Sequence, residues 1–574
     1  MLFPPEVSAK KTIRMSLIKS AATISGLTLL SRITGVVRDM LIARYFGATA
    51  ETDAFYVAFR LPNMLRRLFA EGAFQQAFVP MLSEVREKEP EEGERRFIDN
   101  VFTVLALAVF IVSVLGVIAA PLLVWAIAGG MKGDPEAFTL ATGLTRFMFP
   151  YIAFMSLVAL AAAVLNTRKK FALPAATPIL LNISFILATV FLADRFAEPV
   201  WALAVAVIGG GALQLGAQVW GLSRIGVRVR PRNVKKALSD ENVRRVLTLM
   251  APALFGVGVA QLSILINTNI ASHLGQGAVT WLNYADRLME FPTALLGVAL
   301  GTVLLPGLSA AHARGDDARY NALLDHGLRL VALVGIPASI GLWLTADALV
   351  SFLFQGKSFT PADVSQTALA VVGYAVGLIG LIGLKIIAPA FYARKDIRTP
   401  VKAAFMSLVV VQLINCVSVP FLSHAGLALS VGLGSVVNAG TLLVILRRRG
   451  IYSPCAGWLK AILRIAIASL LMGGAVWWVQ QGVDWTALRW TYRAAGVLGL
   501  VAGARRAVSG ADRQRVSRQG TDVLAGAQKR HAHLPAGRSA EDRLRQLPLR
   551  GDHAPSAAAF RRAAGGIRAA VPPL

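Results

Sequence analysis

Long apolar stretches, separated by short polar segments, recur along most of the chain. Two of them, 101–125 and 427–446, contain no charged residue. A membrane-spanning helix needs roughly 20 mostly apolar residues, so stretches of this kind predict an all-α polytopic membrane protein. The predicted spans are 17–46, 54–82, 101–126, 141–166, 174–193, 200–222, 246–273, 280–307, 327–354, 367–392, 400–423, 427–446 and 459–481. A fourteenth begins near Leu488 and is truncated after about 16 residues.

The polar segments between the spans alternate in charge. One set is rich in arginine and lysine, while the loops of the other set are short and poor in both. The basic set comprises 168–170, 224–245, 312–319, 394–398 and 447–449, with a mixed charged loop at 84–96. Basic loops stay on the cytoplasmic side of a membrane. The alternation therefore predicts a multi-pass protein of the bacterial inner (cytoplasmic) membrane with a cytoplasmic N-terminus.

Two parts of the chain repeat each other at an offset of about 227 residues. Gly47 and the segment 58–61 correspond to Gly275 and 285–288, and 79–83 corresponds to 305–309. An even number of spans in each part predicts two six-helix lobes in a parallel pseudo-repeat, with two C-terminal helices added. Coincidence among common membrane residues is the alternative. The expected division is 15–222 for the N-lobe, 223–245 for a basic cytoplasmic loop, 246–449 for the C-lobe and 450–503 for the thirteenth and partial fourteenth spans.

The two ends of the chain differ from this pattern. Residues 1–14 are interpreted as a start-site extension, because Met15 opens a more typical membrane-protein start. Residues 504–574 are a basic low-complexity tail with 14 Lys and Arg against 5 Asp and Glu. A frameshift in a GC-rich gene is our interpretation of the tail, and a genuine disordered tail is the alternative.

Composition narrows the function. The chain is 55% hydrophobic, and its net charge of +27 lies mostly in the basic loops and the tail. That placement favours contact with anionic membrane lipids over nucleic acid. Two cysteines with no metal-ligand spacing predict neither a disulfide framework nor a metal site. No phosphate-binding Gly-rich loop of the ATPase type is present, and no cofactor is expected.

Charged residues concentrate inside three of the predicted spans. They are Arg32, Arg38 and Asp39 in the first, Arg60, Arg66, Arg67 and Glu71 in the second, and Asp286, Arg287 and Glu290 in the eighth. Such a residue costs roughly 2.5–3.5 kcal/mol at the centre of a membrane helix, so it usually faces a water-filled cavity or a partner. The concentration predicts a cavity for an anionic, lipid-linked substrate.

The arginines suit a diphosphate. Arg32 and Arg38 are six residues apart, which is about 9 Å along a helix, so they could meet two phosphates, or one phosphate and a neighbouring acid. The planar guanidinium binds phosphate oxygens in pairs and stays charged. The alternative is a set of structural salt bridges that lock the lobes together, above all for Asp286, Arg287 and Glu290. For Asp53, a helix N-cap role is the alternative to function.

Five segments resemble the MurJ/MviN family: Ser31–Asp39, Thr52–Phe55, Leu61–Phe74, Tyr284–Pro292 and Tyr392–Pro400. The resemblance covers about residues 15–500. It implies flipping of lipid II, the undecaprenyl-diphosphate-linked precursor of peptidoglycan, by a non-enzymatic transporter of the multidrug and polysaccharide exporter superfamily. It also implies partners among membrane lipids and the cell-wall synthesis or division machinery.

The resemblance also assigns the substrate-binding residues. They are Arg32, Arg38, Asp39, Asp53, Arg66, Arg287 and Glu290. One departure is that the eleventh and twelfth spans lack acids, so the sodium site of some family members is not expected here. The alternatives are a flippase for another polyprenyl-diphosphate-linked saccharide and a multidrug exporter of the same superfamily. A glycosyltransferase is less favoured, because its catalytic carboxylates would need a sizeable extracytoplasmic loop and these loops are short. A structural division scaffold is less favoured, because it gives the arginines no role.

Overall fold

The computed structural model describes residues 5–67, 74–89 and 91–503, and it leaves out the side chains of 5–22, 251–257, 259–260 and 294–303. These parts of the chain form helices and no strand. The first ten helices are α1 (Pro5–Phe46), α2 (Ala50–Arg66), α3 (Phe74–Lys88), α4 (Glu92–Ile118), α5 (Ala120–Ile127), α6 (Pro135–Met148), α7 (Tyr151–Thr167), α8 (Ala172–Phe191), α9 (Trp201–Arg224) and α10 (Val234–Ser239). The others are α11 (Glu241–Ser272), α12 (Ala278–Ala313), α13 (Asp317–Leu344), α14 (Ala346–Phe354), α15 (Pro361–Ala393), α16 (Arg398–Arg448), α17 (Trp458–Gln480) and α18, described over 490–503.

Eight helical segments of the described chain are long and apolar enough to cross a membrane. They are Glu92–Ile118, Pro135–Thr167, Ala172–Phe191, Trp201–Arg224, Asp317–Leu344, Pro361–Ala393, Arg398–Arg448 and Trp458–Gln480. The remaining predicted spans coincide with α1, α2 and α3, α11, α12 and α18. The all-α polytopic class is confirmed, and the arrangement in two lobes stays a prediction. The tail at 504–574, residues 1–4 and Glu71 lie outside the described residues.

Several predicted spans are not single helices. The span 101–126 breaks at Ala119, 141–166 breaks next to Pro150, and 327–354 breaks at Thr345. In contrast, the predicted boundary between the eleventh and twelfth spans is present within α16, where Ser423 leaves the helical conformation with φ of 50°. The predicted loop 223–245 contains α10, so this segment is partly helical rather than a plain loop.

Two glycines at corresponding positions of the predicted repeat both precede a helix. Gly47 and Gly275 both adopt positive φ, 68° and 104°, in the turns that precede α2 and α12. This region of φ is easily reached only by glycine. At Gly47 a side chain is also excluded by space, because a Cβ would lie 2.3 Å from the carbonyl oxygen of Ser358. Both glycines therefore lie in turns whose backbone conformation favours glycine.

The helices α15 and α16 make a seam of direct backbone contact. A Cβ on Gly377 would lie 2.0 Å from the Cα of Gly432, and one on Gly380 would lie 2.5 Å from the backbone nitrogen of Val436. Small residues allow membrane helices to approach this closely. Such close packing matters in a membrane because lipid provides no hydrophobic force that holds two helices together. The seam fixes these two helices against each other.

The segment between α16 and α17 is held by one face of α13. The buried carboxylate of Asp325 accepts hydrogen bonds from the Tyr452 hydroxyl at 2.8 Å, the Trp458 indole at 2.6 Å and the Cys455 backbone at 3.2 Å. One turn further on, Arg329 donates to Asp325 at 2.8 Å. The start of α17 is therefore fixed to α13.

A second acid organises the connection between α15 and α16. Asp396 accepts hydrogen bonds from the Thr399 backbone at 3.0 Å, its hydroxyl at 2.6 Å and Arg449 at 2.7 Å. Burial alone would raise the pKa of Asp396, but the bonds from Thr399 and Arg449 outweigh it and lower the pKa to about 2. The carboxylate thus stays charged and joins two of the predicted cytoplasmic loops.

Candidate functional site: an arginine-lined cavity

A cavity of about 800 Å³ lies among α1, α2, α7, α8, α9 and α12. Its charged lining consists of Arg32, Arg38, Asp39, Arg66, Arg67, Arg287 and Glu290. Among the described residues, five arginines against two acids leave an excess of three positive charges. Six of the seven predicted substrate-binding residues are in this lining, although they come from parts of the sequence some 250 residues apart.

Arg38 is the most firmly positioned of these arginines. Its Nε and Nη2 donate to Asp39 at 2.9 and 2.7 Å, and its Nη1 donates to the Asn182 side chain at 2.9 Å. The guanidinium lies 5.4 Å from the centre of the Phe185 ring. Asn182 is buried and in turn donates to the Ser31 carbonyl of α1 at 3.0 Å. The guanidinium is therefore held by α1 and α8 together.

Asn182 is uncharged and is therefore not among the charged span residues that the sequence marks as candidates. A signal was present, since an amide within the apolar span 174–193 needs hydrogen-bond partners in a membrane. Thr34 supplies another of them, accepting from the Asn182 amide at 3.0 Å.

Asp39 and Glu290 connect the arginines into a chain of charges. Asp39 contacts Arg287 at 3.6 Å, Arg287 contacts Glu290 at 3.4 Å, and Glu290 contacts Arg67 at 3.8 Å. Arg287 and Glu290 are three residues apart on α12 and form one of the salt bridges that the alternative interpretation expects. The side chains of Arg287 and Glu290 are 37% and 47% exposed, and ion pairs this exposed are worth little. A stronger anionic ligand could therefore replace these contacts.

Arg66 has a neutral partner on its own helix, and Arg32 faces the cavity. Arg66 donates from Nε and Nη2 to the Asn63 side chain at 3.1 and 3.0 Å. Arg32 is exposed to the cavity, and no described acid lies within ion-pair distance of it. The salt-bridge interpretation thus fits Arg287 and Glu290 but gives Arg32 no role.

A smaller cavity of about 390 Å³ adjoins the first and shares part of its wall, including Arg67, Arg287 and Glu290. Its own charged residues are Arg60 and Asp286, which interact with each other. Glu290 therefore lines both cavities, whereas Asp286 lines the smaller one.

Asp53 lies apart from both cavities, and the described lining residues do not include it. The N-cap of its own helix is Thr49. Asp53 instead caps α12, accepting from the backbones of Gly277 at 2.7 Å and Thr280 at 2.8 Å and from the Thr280 hydroxyl at 2.6 Å. The predicted N-cap role at the start of its own span is therefore wrong, because Asp53 caps α12 instead. The geometry does not test substrate binding by Asp53.

An apolar groove of about 530 Å³ runs between α17 and α18. Its lining includes Met472, Val476, Trp485, Tyr492 and Leu500. It lies where the sequence predicts the two C-terminal helices, in surroundings suited to a lipid chain.

The comparisons with known proteins identify the family of the chain. The family described as "Lipid II flippase MurJ" matches residues 42–491. A protein of Burkholderia cenocepacia named "Lipid II flippase MurJ" is 52% identical over 476 residues, which are 83% of this chain and 92% of the relative. The chain belongs to the lipid II flippase MurJ family. A "Probable lipid II flippase MurJ" of Vibrio cholerae is 37% identical over 498 residues, covering 85% of this chain and 94% of the relative.

Solved structures show the same relationship. A MurJ structure described as an inward closed conformation superimposes with a TM-score of 0.71 at 25% identity, covering 85% of this chain and 98% of the other. An inward-facing multidrug exporter of the MATE family gives 0.60 at 13% identity, covering 75% and 98%, which shows a shared fold. This MurJ-family chain is therefore a multi-pass membrane protein with the fold of the exporter superfamily.

Proposed function

We propose that this protein moves lipid II from the cytoplasmic to the periplasmic leaflet of the bacterial inner membrane by alternating access. The observation that carries the proposal is the cavity whose described lining holds five arginines and two acids, six of which are residues that the family resemblance selects. The diphosphate would bind in this cavity while the lipid chain stays in the membrane and enters the apolar groove between α17 and α18.

The diphosphate would compete with acids for the arginines. Asp39 lies between Arg38 and Arg287, at 2.7 and 3.6 Å. A phosphate that approaches these guanidinium groups replaces a carboxylate as their partner, and Arg32 supplies a positive charge without a nearby described acid. Because bidentate arginine–phosphate pairs are among the stronger hydrogen bonds, such a ligand would loosen the link that Asp39 makes between α1 and α12.

That link connects ligand binding to movement. With Asp39 released, α12 would remain joined to α2 through the Asp53 cap at its first turn. The loops at this end, 47–52 and 272–277, are short and contain no lysine or arginine, which favours the periplasmic side. Opening there requires the cap to break. The membrane potential supplies about 2.3 kcal/mol per charge per 100 mV, enough to bias the return of a cationic cavity.

A flippase for another polyprenyl-diphosphate-linked saccharide would use the same arginines, so the substrate must be tested directly. An exporter of cationic drugs is disfavoured by the excess positive charge of the cavity. The test is transport of fluorescent lipid II in vesicles that contain the purified protein, with a polyprenyl diphosphate carrying a different saccharide as the second substrate.

Arg38→Ala and Arg287→Ala should each lower lipid II transport about 10- to 150-fold, the equivalent of a lost hydrogen bond between charged groups. Arg38→Lys should restore little, because lysine lacks the planar fork. The control is Arg195→Ala, an exposed arginine of a short loop. Full transport by both alanine variants at Arg38 and Arg287 would rule out the arginine cavity as the diphosphate site. Equal transport of the second saccharide would rule out specificity for lipid II.

A further inference from the structure

The basic segment between the two repeats is attached to α4. The buried carboxylate of Asp99 accepts hydrogen bonds from the Arg230 backbone at 2.9 Å and from the Arg232 side chain at 3.2 Å. The Arg232 backbone donates to the Thr103 hydroxyl at 2.9 Å. We call residues 225–240 the linker. Arg230 and Arg232 fix the linker to one side of α4.

The linker is fixed at its other end as well. Asn100, next to Asp99 on α4, donates to the Asp240 side chain at 2.8 Å. Asp240 is the N-cap of α11 and accepts from the Asn242 backbone at 2.9 Å. The short helix α10 lies between these two attachments, so its orientation is set by α4.

The attachments also set the depth of the linker. The charge-free stretch of α4 begins at Val101, and Thr103 lies about 3 Å further along the helix axis. The linker backbone therefore lies at the level where the polar end of α4 meets its apolar stretch. Close by in the sequence, Arg224 lies 4.8 Å from the ring of the exposed Trp220 at the end of α9. Tryptophan and arginine are typical of this boundary in membrane proteins.

The helix α10 has an exposed face that is both apolar and basic. Ala237 is buried, whereas Val234 and Leu238 are 36% and 42% exposed. These two lie four residues apart and share a face. Lys235 and Lys236 beside them are exposed. Apolar side chains next to lysines, at the level of a membrane boundary, are typical of helices that lie in the membrane interface.

We propose that the linker is a binding surface for the anionic lipid headgroups of the cytoplasmic leaflet. Val234 and Leu238 enter the boundary of the acyl region, and Lys235, Lys236 and Arg228 contact the phosphates. The charge of the surface and its depth favour a lipid over a soluble acidic protein, which would leave the two apolar side chains in water. The cytoplasmic side follows from the proposed orientation.

Lipid bound here would act on the contact between the two repeats. The first turns of α11 pack against α3, where Val246 and Met250 join a buried cluster with Phe78. Arg245 reaches Glu84 of α3 at 3.4 Å. Because the linker holds the start of α11 to α4, a lipid that fixes the linker also favours this contact. Anionic lipid should therefore stabilise the arrangement in which α11 is packed on α3.

The test uses the full chain in nanodiscs of phosphatidylcholine, with and without about one third phosphatidylglycerol. Hydrogen exchange of the linker amides reports whether phosphatidylglycerol binds at the linker. The amount of phosphatidylglycerol retained on the purified protein reports the affinity. Each basic residue near an anionic surface contributes about fivefold to binding. Lys235→Gln with Lys236→Gln should thus weaken retention about 25-fold, and Val234→Ser with Leu238→Ser should weaken it as well.

The matched control removes the same charge elsewhere. Lys395→Gln with Arg398→Gln neutralises two exposed residues of another basic loop and should leave linker protection unchanged. Equal exchange in both kinds of nanodisc would overturn the proposal, and so would an equal loss in the control. Protection by soluble polyglutamate as strong as that by phosphatidylglycerol would point to a protein partner instead. Lipid II transport is measured separately, so its absence in a protein with normal lipid protection would count against the proposed function alone.

Discussion

Replacing Asp53 by alanine should shift the molecule away from the arrangement in which α2 and α12 are joined. The substitution removes the acceptor of three hydrogen bonds and leaves the backbone N–H groups of Gly277 and Thr280 without it. Loss of a helix cap costs about 0.5–2 kcal/mol, and hydrogen bonds to a charged group contribute about 1.5–3 kcal/mol. The net effect should be about 2–3 kcal/mol, or roughly 30- to 150-fold in the ratio of separated to joined molecules.

The assay is a distance measurement between spin labels on either side of the cap. Glu51 on α2 and Gln276 before α12 are both exposed and can carry the labels, after Cys416 and Cys455 have been replaced. In the parent protein the short distance should dominate. In Asp53→Ala a longer distance should become populated, and Asp53→Asn should lie between them because its side chain still accepts hydrogen bonds.

The control removes a cap within one repeat. Asp134 caps α6, accepting from the Ala137 backbone at 3.1 Å, and Asp134→Ala should leave the label distances unchanged. A distance distribution in Asp53→Ala that matches the parent would refute the reasoning, since it would mean that the bonds across the repeat contribute nothing to the joined state.

Three other predictions address the rest of the molecule. Asp325→Asn, in a Cys416→Ser background, should increase maleimide labelling of the exposed Cys455 several-fold. Burial and the neighbouring Asp325 carboxylate raise the pKa of this thiol, and the thiolate is the reactive form; unchanged labelling would mean that the carboxylate does not act on the thiol. Asp396 has a pKa of about 2 when folded, below the usual value of about 4. Its contribution to stability should be present above about pH 4 and disappear as the pH falls toward 2. The difference in thermal stability between Asp396→Asn and the parent measures this, and a constant difference over that range would contradict it. An accessibility tag at Lys169 should report the cytoplasm and one at Gly426 the periplasm; a reversal of either would contradict the orientation.

The helices could be predicted because their boundaries are marked by polarity. Apolar stretches end at charged loops, and each predicted span has a helix at its place. The breaks inside the spans could not be predicted in this way. Pro150 interrupts a helix in the middle of apolar sequence, and at Thr345 the chain turns beside a single charged residue, Asp347, rather than at a charged loop.

The cavity could be predicted as a set of residues but not as a geometry. The high cost of a charge in a membrane selects Arg32, Arg38 and Arg287 without any structure. Their partners depend on how distant segments pack. Asn182 lies 144 residues from Arg38, and Asp53 lies 224 residues from Gly277. No local pattern in the sequence records such contacts.

At the seam between α15 and α16, the two facing glycines differ in how well they tolerate replacement by alanine. A methyl group on Gly377 would overlap the backbone of Gly432 at 2.0 Å, whereas one on Gly432 would lie 3.1 Å from the Cα of Gly377. The first change must push two helices apart, and the second needs an adjustment of a few tenths of an ångström. Gly377 therefore cannot be replaced by alanine without moving a helix, whereas Gly432 tolerates alanine better. In a mutant library selected for function, Gly377→Ala should be depleted, and Gly432→Ala should be partly retained.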